Sequence, residues 1–229
     1  MQIQILDLVE GAKKATGLTV IIDVFRAFSL DCYLFNNGAE KIIPVGDIDL
    51  AYQLKKDNPD YVLIGERNEQ MPSGFDFGNS PSHILNENFS GKTIVHTTSA
   101  GTQGMIHARN ADEVITGSFV NANAIVSYIK KKAPEEVSLV AMGYSALHLV
   151  EEDTACAEYI KYGLEGNYYD FNAATAFIRK TSGARFFLPE KQHYAPQEDF
   201  GLCLNLNRFN FVLKRYYEND HLVLKKIDI

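Results

Sequence analysis

Apolar and polar positions along the chain follow two alternating rhythms. Compact aliphatic and β-branched runs read as strands buried on both faces: LTVIIDV (18–24), KIIPV (41–45), YVLIGE (61–66), KTIVHT (92–97), EVITGS (113–118) and EVSLVAM (136–142). Segments of helical period separate them, over 26–36 (ended by Gly38), 47–57, 102–109 and 120–132, with two more over 152–164 and 170–180. Strands alternating with helices predict an α/β fold with a mainly parallel sheet covered on both faces. The tail NFVLKRYYENDHLVLKKID (210–228) alternates about a polar END turn, which predicts an antiparallel hairpin added at the sheet edge. Residues 65–82 carry no period and read as a loop rich in Gly, Pro, Asn and Ser. There is no internal repeat, low-complexity tract or Pro/Ser linker, so one domain over 1–229 is expected.

Composition narrows the class. The 229 residues are 46% hydrophobic and 22% charged, as in ordinary globular domains. A net charge of -7 argues against nucleic-acid binding, which needs a basic face. It leaves a small anionic substrate open, because a few local arginines outweigh a diffuse acidic surface. Cys32, Cys156 and Cys203 form no CxxC pair and read as buried thiols of a reducing compartment. The N-terminus is too charged for a signal peptide, and no apolar run approaches the ~20 residues that span a bilayer, so a cytoplasmic protein is expected. Histidines 83, 96, 107, 148, 193 and 221 lack ligand spacing; only His96 stands beside a strand end.

In an open α/β sheet ligands bind at the carboxyl ends of the strands. Those ends carry Asp23 and Arg26, Glu66 and Arg67, Thr97-Thr98-Ser99-Ala100-Gly101-Thr102, Ser118 to Asn121, and beyond the last strand Glu151-Glu152-Asp153. Each has a plain structural reading as well. Asp23 could pair with Arg26 or cap the next helix, Glu66-Arg67 could be a solvated pair, and the acids at 151–153 could complement a helix N-terminus. GFDFGNSP (74–81) could be a structured surface loop or an active-site wall. Three adjacent carboxylates repel one another without a cation, and hard oxygen donors suit Mg²⁺.

The strings VIIDVFRA, IGER, GFDFGNSP, GKTIVHTTSAGT, TGSFVNANA and EEDTACA, in this order, resemble the blocks of the 2-phosphosulfolactate phosphatase family. The resemblance runs from about residue 18 to 160, with a weaker echo in PQEDFGLC (196–203). It implies a three-layer α/β/α fold and Mg²⁺-dependent hydrolysis of a phosphorylated, sulfonated 2-hydroxy acid on the route to coenzyme M. Three departures touch the expected pocket: Phe28-Ser29 replace two threonines, Ala100 replaces an asparagine, and Asn68-Glu69-Gln70 replaces a glycine-rich stretch.

On this reading Mg²⁺ is held by a subset of Asp23, Glu66, Glu151, Glu152 and Asp153. Arg26 and Arg67 grip phosphate or sulfonate. Thr97, Thr98, Ser99, Gly101 and Thr102 cradle an anion at a helix start, and Asn79, Ser80 and Asn121 add hydrogen bonds. Water or Asp23 is the nucleophile. Another phosphorylated hydroxy acid as substrate, or a non-catalytic anion-binding protein on the same scaffold, remains the alternative. A nicotinamide enzyme is disfavoured because no GxGxxG follows the first strands. The oligomeric state, a homo-oligomer included, is left open.

Overall fold

The computed structural model describes all residues 1–229. The chain opens with strand β1 (Gln2–Asp7) and helix α1 (Leu8–Lys14), then β2 (Gly17–Ile22) and α2 (Ala27–Asn36). β3 (Lys41–Pro44), α3 (Ile48–Asp57) and β4 (Val62–Gly65) precede the long loop, which holds a 3-10 turn over Pro81–Ile84. β5 (Thr93–Thr97), α4 (Gly101–His107), β6 (Ala111–Gly117), α5 (Ala122–Lys132), β7 (Glu136–Ala141) and α6 (Glu151–Glu165) follow. The chain ends with α7 (Phe171–Ile178), two further 3-10 turns, α8 (Gln197–Cys203), β8 (Phe211–Glu218) and β9 (His221–Asp228). No helix is long and apolar enough to cross a membrane.

All nine strands join one sheet, in the order β1-β7-β2-β6-β8-β9-β3-β5-β4. The pairs β1/β7, β7/β2 and β2/β6 are parallel, as are β3/β5 and β5/β4. Side chains alternate across the pleat, so one apolar strand feeds two cores. Leu18, Val20 and Ile22 of β2 enter a core of 26 buried residues with α5 and α6, while Ile21 enters one of 28 with α2 and α4. Ile42 and Ile94 join the second core, whereas Ile43 and Val95 pack with Ala51 and Leu54 of α3. Helices thus cover both faces, giving the α/β/α layering expected.

The C-terminal hairpin forms, but not at the edge. It lies inside the sheet and joins the two parallel halves through antiparallel pairings β6/β8 and β9/β3. Those pairings are brief, Ile115↔Lys214 and Thr116↔Leu213 on one side and Ile42↔Leu224 on the other. Only Phe211, Val212, Leu213, Val223 and Leu224 are buried there. The remaining polar positions run past the covered region, so the sequence pattern resembles a solvated edge. β1, α1 and α8 were not foreseen either. QIQILD has no strong apolar run, because β1 is an outer strand whose residues stay partly exposed.

This placement has a measurable consequence. Leu224→Ala, at the seam of the two halves, is expected to destabilise the protein by about 2–5 kcal/mol in urea unfolding, the usual range for a buried leucine. A loss below about 1 kcal/mol would fit an edge strand instead.

Candidate active site

Residues that follow β2, β4, β5 and β7 converge on one place, although the antiparallel hairpin makes the two parallel halves run in opposite directions. A small cleft opens there, lined by Asp23, Arg26, Glu66, Glu69, Asn79, Thr98, Ser99, Ala100, Tyr144 and Arg185 among others. Asp23 directly follows β2 and Glu66 directly follows β4. Gly65 makes that last turn feasible. Its φ is +151°, and a Cβ there would sit 2.1 Å from the Thr97 carbonyl oxygen.

Backbone amides pin the acids. The Ser99 N–H donates to Glu66 Oε1 at 2.7 Å and the Glu69 N–H to Oε2 at 2.9 Å. Asp23 Oδ1 accepts from the Ala27 N–H at 3.4 Å, while Gly101 lies against Oδ2. Behind them, Asp153 accepts from the amides of Val24 and Gly143, each at 2.8 Å, and Glu152 accepts from the Ser182 hydroxyl. Burial pushes Asp23 up to about 7, with Glu66 and Glu152 adding to the rise against the Ala27 and Gly101 amides. Asp153 is raised well above the usual carboxylate range, chiefly by burial and then by Asp23 and Glu152. Glu152 is raised by burial, which the Arg185 charge partly opposes.

The amides after β5 were expected to cradle a substrate anion. Ser99 instead gives its N–H to Glu66, and the helix start at Gly101 faces Asp23. The capping chemistry of this turn therefore organises the protein's own carboxylates, which are anions too.

Cations occupy the other wall. Arg26 does not pair with Asp23. Its Nη1 donates to Asp199 Oδ2 at 2.8 Å and to the Tyr194 carbonyl at 2.6 Å, and the Arg26–Asp199 pair is buried. Asp199 is fixed further by the Ser80 hydroxyl and the Ser82 amide. Arg185 Nη1 donates to Glu69 Oε1 at 2.9 Å and Nη2 to the Phe25 carbonyl at 3.1 Å, and Lys191 Nζ donates to Glu69 Oε2 at 2.9 Å. Two buried polar atoms on the cleft residues have no protein partner, Asn79 Oδ1 and Arg185 Nε.

The structure thus brings together Asp23, Arg26, Glu66, Asn79, Thr98 and Ser99. Other expected residues lie elsewhere. Arg67 is spent on the carbonyls of Glu66 and Gly46 and on the Thr97 hydroxyl, so both Arg67 and Thr97 brace the strand ends. Thr102 caps back onto the Thr98 carbonyl. Ser80 holds Asp199 rather than lining the cleft. Asn121 is fully buried and links Ser118 N–H to the Phe211 carbonyl at the hairpin. Glu151 opens onto a separate groove between α6 and α7 with Val150, Thr154 and Phe177. His96 is enclosed in the core, 2.7 Å from Asp31.

Sequence reasoning gave no role to Tyr144, Arg185, Lys191 or Asp199, and marked Glu69 only as part of a departure at the expected pocket. Arg185 had one signal, its place before Phe186, which is buried and stacks edge-on with Phe25 at 4.9 Å. That anchor sets the guanidinium beside the Phe25–Arg26 turn.

No three His, Cys, Asp or Glu side chains of the chain gather as a ligand set. Magnesium needs fewer, since it commonly takes one or two carboxylates and completes its shell with water and phosphate oxygens. Asp23 and Glu66 are hard oxygen donors on the same wall, and their repulsion is what a cation would relieve. The donor set fits such an ion, with Glu152 and Asp153 behind it and Glu151 outside it.

The tightness of this wall can be tested without a ligand. A Cβ at Gly101 would lie 2.9 Å from Asp23 Oδ2 and 3.0 Å from Phe28 Cζ, whereas one at Gly201 in α8 meets nothing within 4 Å. Gly101→Ala is expected to cost about 1–3 kcal/mol in urea unfolding. Gly201→Ala is expected to be neutral or to gain up to about 1 kcal/mol. Equal effects of the two would contradict the packing described.

Comparison with known proteins identifies the family. A protein from Bacillus subtilis described as a probable 2-phosphosulfolactate phosphatase is 32% identical over 215 residues, covering 93% of this chain and 92% of that protein. One of the same description from Caldanaerobacter subterraneus is 32% identical over 207 residues, covering 85% and 86%. Another from Thermotoga petrophila reaches 44% over 133 residues, 58% of this chain and 56% of that protein. The family model for 2-phosphosulpholactate phosphatase matches residues 3–218. The chain belongs to the 2-phosphosulfolactate phosphatase family.

Proposed function

We propose that the protein is a Mg²⁺-dependent phosphatase. It hydrolyses the phosphomonoester of a small anionic 2-hydroxy acid, with 2-phosphosulfolactate, giving sulfolactate and phosphate, as the favoured substrate. The observation that carries the reading is the meeting of amide-pinned carboxylates, Asp23 and Glu66, with arginines in one cleft at the strand ends. Phosphoryl transfer needs little covalent help from a protein and depends on positioning and charge stabilisation.

Asp23 and Glu66 would hold the ion, which when bound polarises a phosphoryl oxygen and supplies an activated water. Arg26 would donate its remaining N–H groups to phosphoryl oxygens, its orientation fixed by Asp199 and the Tyr194 carbonyl. Thr98 and Ser99 line the same wall and offer hydroxyls to the substrate, and the Asn79 carbonyl oxygen, which no protein group uses, accepts from a water. In this reading water is the nucleophile and Asp23 orients it. Arg67 and Asn121 act by holding strand ends in place rather than by touching substrate.

Phosphate release from 2-phosphosulfolactate and 2-phospholactate tests this. Asp23→Asn is expected to lower kcat by about 10³-fold, the scale of losing a charge-stabilising group, and EDTA to abolish turnover until Mg²⁺ is restored. Full activity in either case would sink the assignment. Saturable binding without turnover would identify an anion-binding protein.

A further inference from the structure

Every cation of the cleft is already paired. Arg26 is committed to Asp199, and that pair is rigid, because Asp199 is buried and also accepts from Ser80 and from the Ser82 amide. Arg185 and Lys191 share a single carboxylate, Glu69, at 2.9 Å each. A substrate carrying a phosphoryl group and a second acid group needs a cation for the second group as well. Arg26 can take the phosphoryl group through its free N–H groups, so the second acid group competes with Glu69 for Arg185 and Lys191.

Glu69 is the partner built to yield. It sits at the tip of a two-residue turn, closed by mutual hydrogen bonds between the backbones of Arg67 and Gln70. Both tip residues are left-handed, Asn68 at φ 54° and Glu69 at φ 66°, a conformation that costs a glutamate energy. Its carboxylate lies on the cleft wall between two cations, where a substrate carboxylate or sulfonate would also be drawn. Two cations against one carboxylate leave one positive charge there. Arg185 also keeps a buried Nε–H with no partner, a donor that Glu69 leaves unused.

We propose that Glu69 is a tethered competitor for a substrate acid group beyond the phosphoryl group: it occupies the subsite formed by Arg185 and Lys191 and is displaced when a phosphoester carrying a further carboxylate or sulfonate binds. This inference rests on the reading of the cleft as a site for an anionic phosphoester. It makes Glu69 and Arg185 residues that set specificity. The carboxylate lowers affinity for compounds with two acid groups, and it neutralises the subsite when a simple phosphoester is bound.

Two non-hydrolysable probes separate the groups: methylphosphonate has one acid group, and phosphonoacetate adds a carboxylate. Calorimetric titration in Mg²⁺ buffer should show that Glu69→Gln tightens phosphonoacetate relative to methylphosphonate by roughly fivefold, the scale of a part-exposed charge pair. Arg185→Gln should weaken phosphonoacetate relative to methylphosphonate by roughly tenfold, as loss of a charged contact does. If the glutamine variant does not fold, Glu69→Gly, which suits the positive φ, gives the same comparison. Weaker phosphonoacetate binding on loss of the Glu69 carboxylate, equal shifts for both probes, or no binding of either would overturn the proposal. Selective shifts without phosphate release from any ester would keep it and remove the phosphatase reading. Phosphate release with equal shifts would do the reverse.

Discussion

Asp153 accepts hydrogen bonds from the amides of Val24 and Gly143, and so ties together the chain where it leaves β2 and β7. A carboxylate buried at this depth is costly unless its oxygens are satisfied, and here two backbone donors satisfy them. That one side chain fixes the spacing of the loops that present Asp23 and Tyr144. Glu66 repeats the device one layer forward, where its two oxygens clamp Ser99 and Glu69. The strand ends are therefore held by acids, and the cleft inherits its negative wall from its scaffold.

This explains the division of the cleft. The acids face one another, and burial together with their mutual repulsion raises Asp23 and Asp153. Arg185 and Lys191 stand on the segment 182–199 that the turns after α7 fold over the strand ends, and Arg26, just after β2, is tied to that segment through Asp199. Aromatic packing holds that segment down. Phe25, Phe186 and Phe200 form a contiguous group beneath Arg26 and Arg185. A phosphoester entering between the walls would meet arginines on one side and, in the proposed enzyme, a carboxylate-bound ion on the other.

Much of the fold was legible in the chain, and the reasons are local. LTVIIDV and EVSLVAM are apolar on both faces because both faces are covered, so their strands and parallel pairing could be read directly. The hairpin was visible too, but its place was not. Its central position depends on Leu213 and Leu224 entering a core built by distant segments, and alternation along one strand carries no record of that. The site shows the same split. Asp23, Arg26, Glu66 and Thr98-Ser99 declared themselves by standing at strand ends. Arg67 and Asn121 stand at strand ends as well, yet they turn inward to carbonyls, which residue type alone does not reveal. Glu69, Arg185 and Asp199 lie in stretches without period, and only tertiary packing brings them to the cleft.

The central claim is that Asp23 and Glu66, held by backbone amides, form the oxygen wall on which a divalent ion sits. A crystal soaked in Mn²⁺, whose anomalous scattering marks the metal, tests it most directly. The account predicts one strong anomalous peak in contact with both carboxylates, at about the 2.0–2.1 Å of octahedral Mg²⁺–oxygen bonds or slightly longer. A peak at Glu151 on the outer groove, or none at saturating Mn²⁺, would contradict it.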